Sequence, residues 1–200
     1  LIDGEAIADL MKELVSQLNA KREYDKTPFL NKGDSILNTD KTADSDFLNI
    51  TLDPTIPVMA LTTPFNDEGL KPVKSDVIKN NIVINQQISN RIGQYLQKVP
   101  NFIEGNIIVE AGSKSKADLL SNLGSRECIE ILTFSSLLIN SNTLTWSSEI
   151  KLGKLWHNGK VVKMIKGGVV SGDIKENLSN FKFNNDIIKK NNTGGGFYPA

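Results

Sequence analysis

One histidine, one cysteine and three arginines in 200 residues remove most of the chemistry a chain of this length could carry. Zinc motifs of the HExxH or HExxxH kind set two imidazoles on one helix face, and a Ser-His-Asp system needs a histidine held by an acid beside a nucleophile. His157 stands alone next to a hairpin signal and reads as an ordinary turn-flanking residue. Cys128 alone excludes an intrachain disulfide and suits a reducing cytoplasm. Its neighbours Glu127 and Glu130 work against thiolate formation, so a structural cysteine is expected. Lysine plus arginine balance aspartate plus glutamate at 23 each, which leaves no net field to draw nucleic acid or an anionic membrane. Only Arg22, Arg91 and Arg126 offer forked donors for phosphate or base contacts, a further argument against nucleic acid. No apolar run approaches the roughly 18 residues that span a bilayer. Leu137-Leu138-Ile139 stops at Asn140-Ser141-Asn142, so a soluble, non-membrane protein is expected. The chain opens on Leu1-Ile2-Asp3 without a methionine or a basic-then-apolar leader, so a processed or excised piece with sequence upstream is expected.

What is present suffices for one respectable core. We expect a single domain over residues 1–200 of α+β class: a twisted, largely antiparallel sheet curled into a partial barrel, one longer N-terminal helix and a few short ones. Ala6, Ile7, Leu10, Met11, Leu14, Val15 and Leu18 recur at helical spacing after Asp3, a candidate N-cap. Residues 21–46 are polar, with a mobile loop expected over about 31–46. Leu48, Ile50 and Leu52 alternate as a strand that Asp53-Pro54 ends, and Asn80-Asn81 suggests a hairpin. Ile88, Ile92, Leu96 and Val99 read as a helix stopping before Pro100. Ile107 to Val109 reads as a strand, and Ser115 to Leu123 as a helix capped by Ser115 and Asp118. Cys128 to Ile165 is almost wholly β in texture. The Gly-rich tail over 191–200 is expected to be flexible, with Phe197-Tyr198-Pro199 either docking it or starting a final strand.

Few residues offer chemistry. Asp67-Glu68, in a turn bounded by Pro64 and Gly69, could serve as a metal or general-base pair, but no histidine or third acid is near in sequence. Acids capping backbone N–H groups are the plainer reading. Asp40, Asp44 and Asp46 lack the glycine and terminal glutamate of a calcium loop. Gly194-Gly195-Gly196 has no following lysine-serine/threonine and is not a phosphate loop. Gly167, Gly168 and Gly172 are read as sites of close strand–helix approach, and Trp146 and Trp156 as core or interface anchors.

The densest signal runs from Trp156 to Phe181. Asn158-Gly159 between two β-prone runs marks a type I′ hairpin. Gly167-Gly168 follow, then Ser171-Gly172-Asp173, where Asp173 and Glu176 form a capping pair ahead of Ile174, Leu178 and Phe181 on one helical stripe. That order resembles the carboxy-terminal domain of the TldD/PmbA family. Pro64-Phe65-Asn66-Asp67-Glu68-Gly69 is similar to the family's P-F-D-x-E-G turn, and Asn106 to Ser115 to its strand, x-x-G, x-x-S, helix passage. Leu1 to Leu18 resembles the helix that opens the domain, and the PmbA (TldE) side is the nearest branch.

The resemblance implies a cytoplasmic peptidase of unfolded or peptide substrates, built from paired subunits that enclose a chamber. It also implies zinc in the catalytic subunit, held by an HExxxH helix and a cysteine near the carboxy terminus. This chain has no HExxxH, and Thr193 to Pro199 contains no cysteine. No catalytic, cofactor-binding or metal residue therefore carries over, and no cofactor is expected. The expected role is a zinc-lacking scaffold and peptide-facing wall whose partner is a TldD-like catalytic subunit or another copy of itself. The alternatives are a metal-free module that dimerises through its sheet with no proteolytic role, and, third, a hydrolase using Asp67 and Glu68 with a metal.

Overall fold

In the computed structural model, which describes residues 1–191 and 195–199 without the side chain of Glu5, the chain opens on α1 (Gly4–Ser16) and α2 (Ala20–Tyr24). There follow β1 (Ile50–Asp53), β2 (Ser75–Lys79), β3 (Ile82–Val83), α3 (Asn90–Leu96), β4 (Asn106–Val109) and α4 (Lys116–Ser121). Four strands come next, β5 (Cys128–Ile139), β6 (Thr145–His157), β7 (Lys160–Ile165) and β8 (Val169–Asp173). The chain closes with α5 (Ile174–Asn177), β9 (Ile187–Lys190) and β10 (Gly196–Pro199).

Local chemistry accounts for most of these boundaries. Asn158 and Gly159, at φ 48° and 68°, turn β6 into β7, and Asn80 and Asn81, at 51° and 65°, turn β2 into β3. Both central positions of each turn need a positive φ, which asparagine and glycine adopt at least cost. Ser115 and Asp118 exchange hydrogen bonds in a complete capping box at the start of α4. Ser89 caps α3, and Asp173 accepts from the backbone N–H of Lys175 and Glu176.

The strands divide into two sheets, where one curled sheet was expected, and neither closes into a barrel. The first has six strands in the order β3-β2-β1-β4-β10-β9, antiparallel except where β10 runs parallel to β4. The second has four. β6 is its spine, with β5 on one side, while β7 pairs with Gly153–His157 and β8 with Thr145–Glu149 on the other. Gly167 and Gly168, at φ 84° and 83°, carry the chain from β7 to β8, hydrogen-bonded on both sides to Ile150. A Cβ on either would touch nothing, so they serve the positive φ and not close packing. Close approach belongs to Gly172, whose Cβ would come within 3.0 Å of Trp146 Nε1.

α1 buries Ala8, Leu10, Met11, Leu14 and Val15, and Leu18 just past its end continues the stripe expected of its period. The core they join takes Leu52, Val77, Ile107 and Tyr198 from the first sheet, and Leu144, Trp146, Ile174 and Leu178 from the region of the second. Full burial of each large apolar side chain stabilises the fold by about 1.5–3 kcal/mol. Residues 31–46 are irregular yet tied down: Ile36 is buried and donates to Asn81 O, Thr42 to Ser179 O, and Asp46 to Phe181 O. The tail expected to be flexible over 191–200 re-enters the first sheet as β10, between β4 and β9, with Tyr198 fully buried. The part of that tail at 192–194 lies outside the described residues. Among the described residues, no helix is long and apolar enough to cross a membrane.

Candidate functional site

A groove of about 680 Å³ runs between α1 and the four-stranded sheet. Its walls are apolar: Ile7 and Met11 on α1, Ile131, Trp146 and Ile150 on β5 and β6, and Phe181 beyond α5. The period of α1 turns one apolar face to the core and leaves its flank, Ile7, to line the groove. Trp146 is fixed by donation from Nε1 to Asn177 Oδ1 at 3.1 Å and by an edge-on contact with Phe134.

Two buried polar residues stand in these walls. Glu130, only 2% exposed, accepts from Lys116 Nζ and, at 2.8 Å, from Trp156 Nε1, with Lys154 at 3.8 Å. Burial pushes its carboxyl up, but those hydrogen bonds and the two ammonium charges outweigh burial and hold it below the ordinary glutamate range. Asn184, 4% exposed, has a buried Oδ1 with no hydrogen-bond partner. A buried acceptor left unpaired costs about 1–3 kcal/mol of stability.

The residues singled out from sequence lie elsewhere. His157 ends β6 opposite Lys160, and its Nδ1 is buried without a partner. Cys128 opens β5 opposite Trp156 and is half-buried, its Sγ 3.7 Å from Ile129 O. Asp67 and Glu68 are exposed. Glu68 accepts from the N–H groups of Asn90 and Arg91 at 2.9 and 3.3 Å, while Asn66 Oδ1 accepts from Glu68 and Leu70 and shapes the turn. Glu104 joins this pair in space: burial first, then the charges of Asp67 and Glu68, raise its carboxyl pKa. Asp46 Oδ2 accepts from Phe183 N at 2.8 Å, and Asp40 and Asp44 are exposed. Gly194 lies outside the described residues.

Sequence reasoning missed Glu104, Glu130 and Asn184. Each is a lone polar residue whose surroundings come from parts of the chain distant in sequence, and a glutamate flanked by isoleucines on a strand is the only local hint that Glu130 points inward.

The sequence matches the profile of the PmbA/TldA metallopeptidase C-terminal domain over residues 1–197. This chain belongs to that family. Three solved structures share the fold. A candidate modulator of DNA gyrase from Bacteroides thetaiotaomicron is 22% identical with a TM-score of 0.77, over 99% of this chain and 43% of that one. TldE from Thermococcus kodakarensis is 16% identical with a TM-score of 0.79, over 96% and 46%. A candidate modulator of a DNA gyrase from Thermotoga maritima is 18% identical with a TM-score of 0.77, over 100% and 46%. The PmbA/TldA chain described here thus spans less than half the length of these proteins. No curated protein matches its sequence.

The family name implies a metal, and the residues present do not fit one. Among the described residues, no three histidine, cysteine, aspartate or glutamate side chains are placed to hold an ion, and the trio of Asp67, Glu68 and Glu104 does not converge on one point. Glu68 is engaged with α3.

Proposed function

We propose that this chain is the carboxy-terminal domain of a PmbA/TldE-like subunit in a cytoplasmic peptidase assembly. It supplies no zinc ligand; it forms scaffold and a wall that faces an unfolded peptide, while a TldD-like subunit supplies the metal and cleaves. The groove beside α1, with its apolar walls, is the observation that carries this reading. Apolar walls receive side chains without sequence preference.

Trp146 lines the groove and reports on it. An unstructured peptide added to the chain alone should shift its fluorescence without being cleaved. Zinc content and cleavage should appear when a paralogue bearing HExxxH is mixed in. Stoichiometric zinc and cleavage in the isolated chain would overturn the reading. A mixture that stays inert, with no fluorescence change, would leave a metal-free dimerising module in its place.

A further inference from the structure

β7 and the end of β6 that leads into it form an arm that the rest of the molecule does not cover. From Lys160 to Met164 every residue is exposed, so both faces of the strand stand in water, Val162 and Met164 each at 54%. A strand with one buried face alternates buried and open residues, as β6 does from Trp146 to Ile150 before the pattern lapses along the arm. A two-stranded hairpin gains little stability by itself, and apolar residues grouped on its open surface mark a place that another molecule covers.

The charge of the arm has one sign. Between Glu149 and Asp173 the sequence has five lysines, Lys151, Lys154, Lys160, Lys163 and Lys166, and no aspartate or glutamate, in a chain whose charges sum to zero. Lys154 stands 3.8 Å from Glu130. Among the described residues the other four lysines, all exposed, make no ion pair. Neutrality of the whole chain therefore conceals a local positive field.

Charge and backbone together choose the occupant. The field admits an anionic molecule and turns away a second copy of the same arm. An anionic bilayer fits poorly: the side of β7 away from β6 pairs with no strand among the described residues, and its open N–H and C=O groups would stay unpaired in lipid. Nucleic acid fits poorly as well, because the arm has no arginine to fork onto phosphate, and its single large aromatic, Trp156, is held by Glu130. An extended polypeptide answers both features, its backbone meeting the edge and its acids meeting the lysines.

We propose that β7 is the docking edge for an extended segment of a partner polypeptide in which acidic residues alternate with apolar ones. Acids of that segment lie against Lys160, Lys163 and Lys166, and its apolar residues cover Val162 and Met164. The register of β7 on β6 is regular from Lys163 to Ile165 and shifts between Leu155 and Trp156. Main-chain pairing is therefore confined to the end of β7 near Gly167, and the lysine nearest the turn acts by charge alone. Lysines on an edge ordinarily keep strands away; the same charges reject basic and uncharged strands and leave the acidic one. The arm lies outside the groove, so the inference goes beyond the function proposed above and does not depend on it.

The test offers three probes to the full-length gene product: a fluorescently labelled peptide alternating glutamate with valine, one alternating lysine with valine, and vesicles of phosphatidylcholine with phosphatidylglycerol. We expect the glutamate peptide alone to bind, with an affinity that falls as salt rises from about 0.05 to about 0.3 M. Lys160→Glu combined with Lys163→Glu should weaken it about tenfold and confer binding of the lysine peptide, a gain that a misfolded arm does not produce. If that pair does not fold, Lys163→Gln should weaken the glutamate peptide about threefold. Lys32→Glu, an exposed lysine outside the arm, should change nothing. Amides at 163–165 should exchange more slowly when the peptide is bound. The proposal is overturned by a glutamate peptide that does not bind, by glutamate and lysine peptides that bind alike, by an affinity indifferent to the lysine changes on β7, or by vesicles that bind in the peptide's place. Peptide held in the groove is insensitive to those changes, so failure of this inference and failure of the groove reading are told apart.

Discussion

The two sheets of this molecule use apolar residues for opposite ends. In the six-stranded sheet Leu52, Val77, Ile78, Val83, Val109 and Tyr198 are all but inaccessible in the shared core, and only at its outer strands do Ile82 and Ile187 stand open. In the four-stranded sheet Val161, Val162, Met164 and Val169 stand open at 43–78% exposure. Single exposed apolar residues are ordinary on a protein surface, but a run of them on adjoining strands marks a surface with work outside the fold. More of the buried apolar strand residues lie in the first sheet, while the second, beyond Ile131, Trp146 and Ile150, presents groove and edges.

That contrast can be broken most directly by one substitution made twice. Leu52 is 1% exposed and Leu152 is 41% exposed. Leu52→Ala should cost about 3 kcal/mol, the central value for emptying a leucine site in a packed core. Leu152→Ala should cost under about 1 kcal/mol, since a large part of that side chain is already open to water. Urea titration of both reads the difference, and equal losses would show that the two sheets share the stability evenly.

A different feature of the second sheet is Glu130, a charge buried beside Ile131. Glu130→Gln keeps the shape but leaves Lys116 and Trp156 Nε1 facing a weaker acceptor, and should cost about 2 kcal/mol. Its folded carboxyl is held below the ordinary value of 4.5, so the stability it contributes is present above that pH and is lost as pH falls through the folded value. Acid titration followed by circular dichroism should therefore be flatter for the variant below about pH 4.5.

Gly172→Ala comes next, at about 1–3 kcal/mol for overpacking, because the new methyl would crowd Asn177 Oδ1 and the Trp146 ring. A shift in Trp146 emission should accompany the loss, and an unchanged spectrum would mean that the groove wall gives way elsewhere.

What was legible in the sequence follows the same division between near and far. Asn158-Gly159, Asn80-Asn81, the Ser115–Asp118 box and the stripe of α1 are each specified within a few residues, and the structure has them. The partition into two sheets was not legible, because strands of similar texture carry no mark of which neighbour they will choose. The parallel entry of β10 beside β4 brings together residues about 90 positions apart, Gly196 with Ile107, and composition alone made that tail look loose. The groove was hidden for the same reason: Asn184 and Trp146 are ordinary residues until long-range packing sets them in one wall.

The smallest expected effect sharpens the comparison through two glutamates of opposite sign. Glu130 in the second sheet is compensated by lysines; Glu104, just ahead of β4 in the first, faces Asp67 and Glu68. Burial and those two acids raise its carboxyl above the ordinary value, so any stability linked to it is present at low pH and is lost as pH rises through the folded value. Glu104→Gln removes that repulsion and should stabilise the fold at neutral pH by under about 1 kcal/mol, because solvent screens charges in a half-open turn. At pH 4 the gain should vanish, since the parent carboxyl is then protonated. A chemical-denaturation midpoint that rises at pH 7 and not at pH 4 is the signature. A variant destabilised at both would mean that the carboxylate has a donor partner, and the two acids would then be alike.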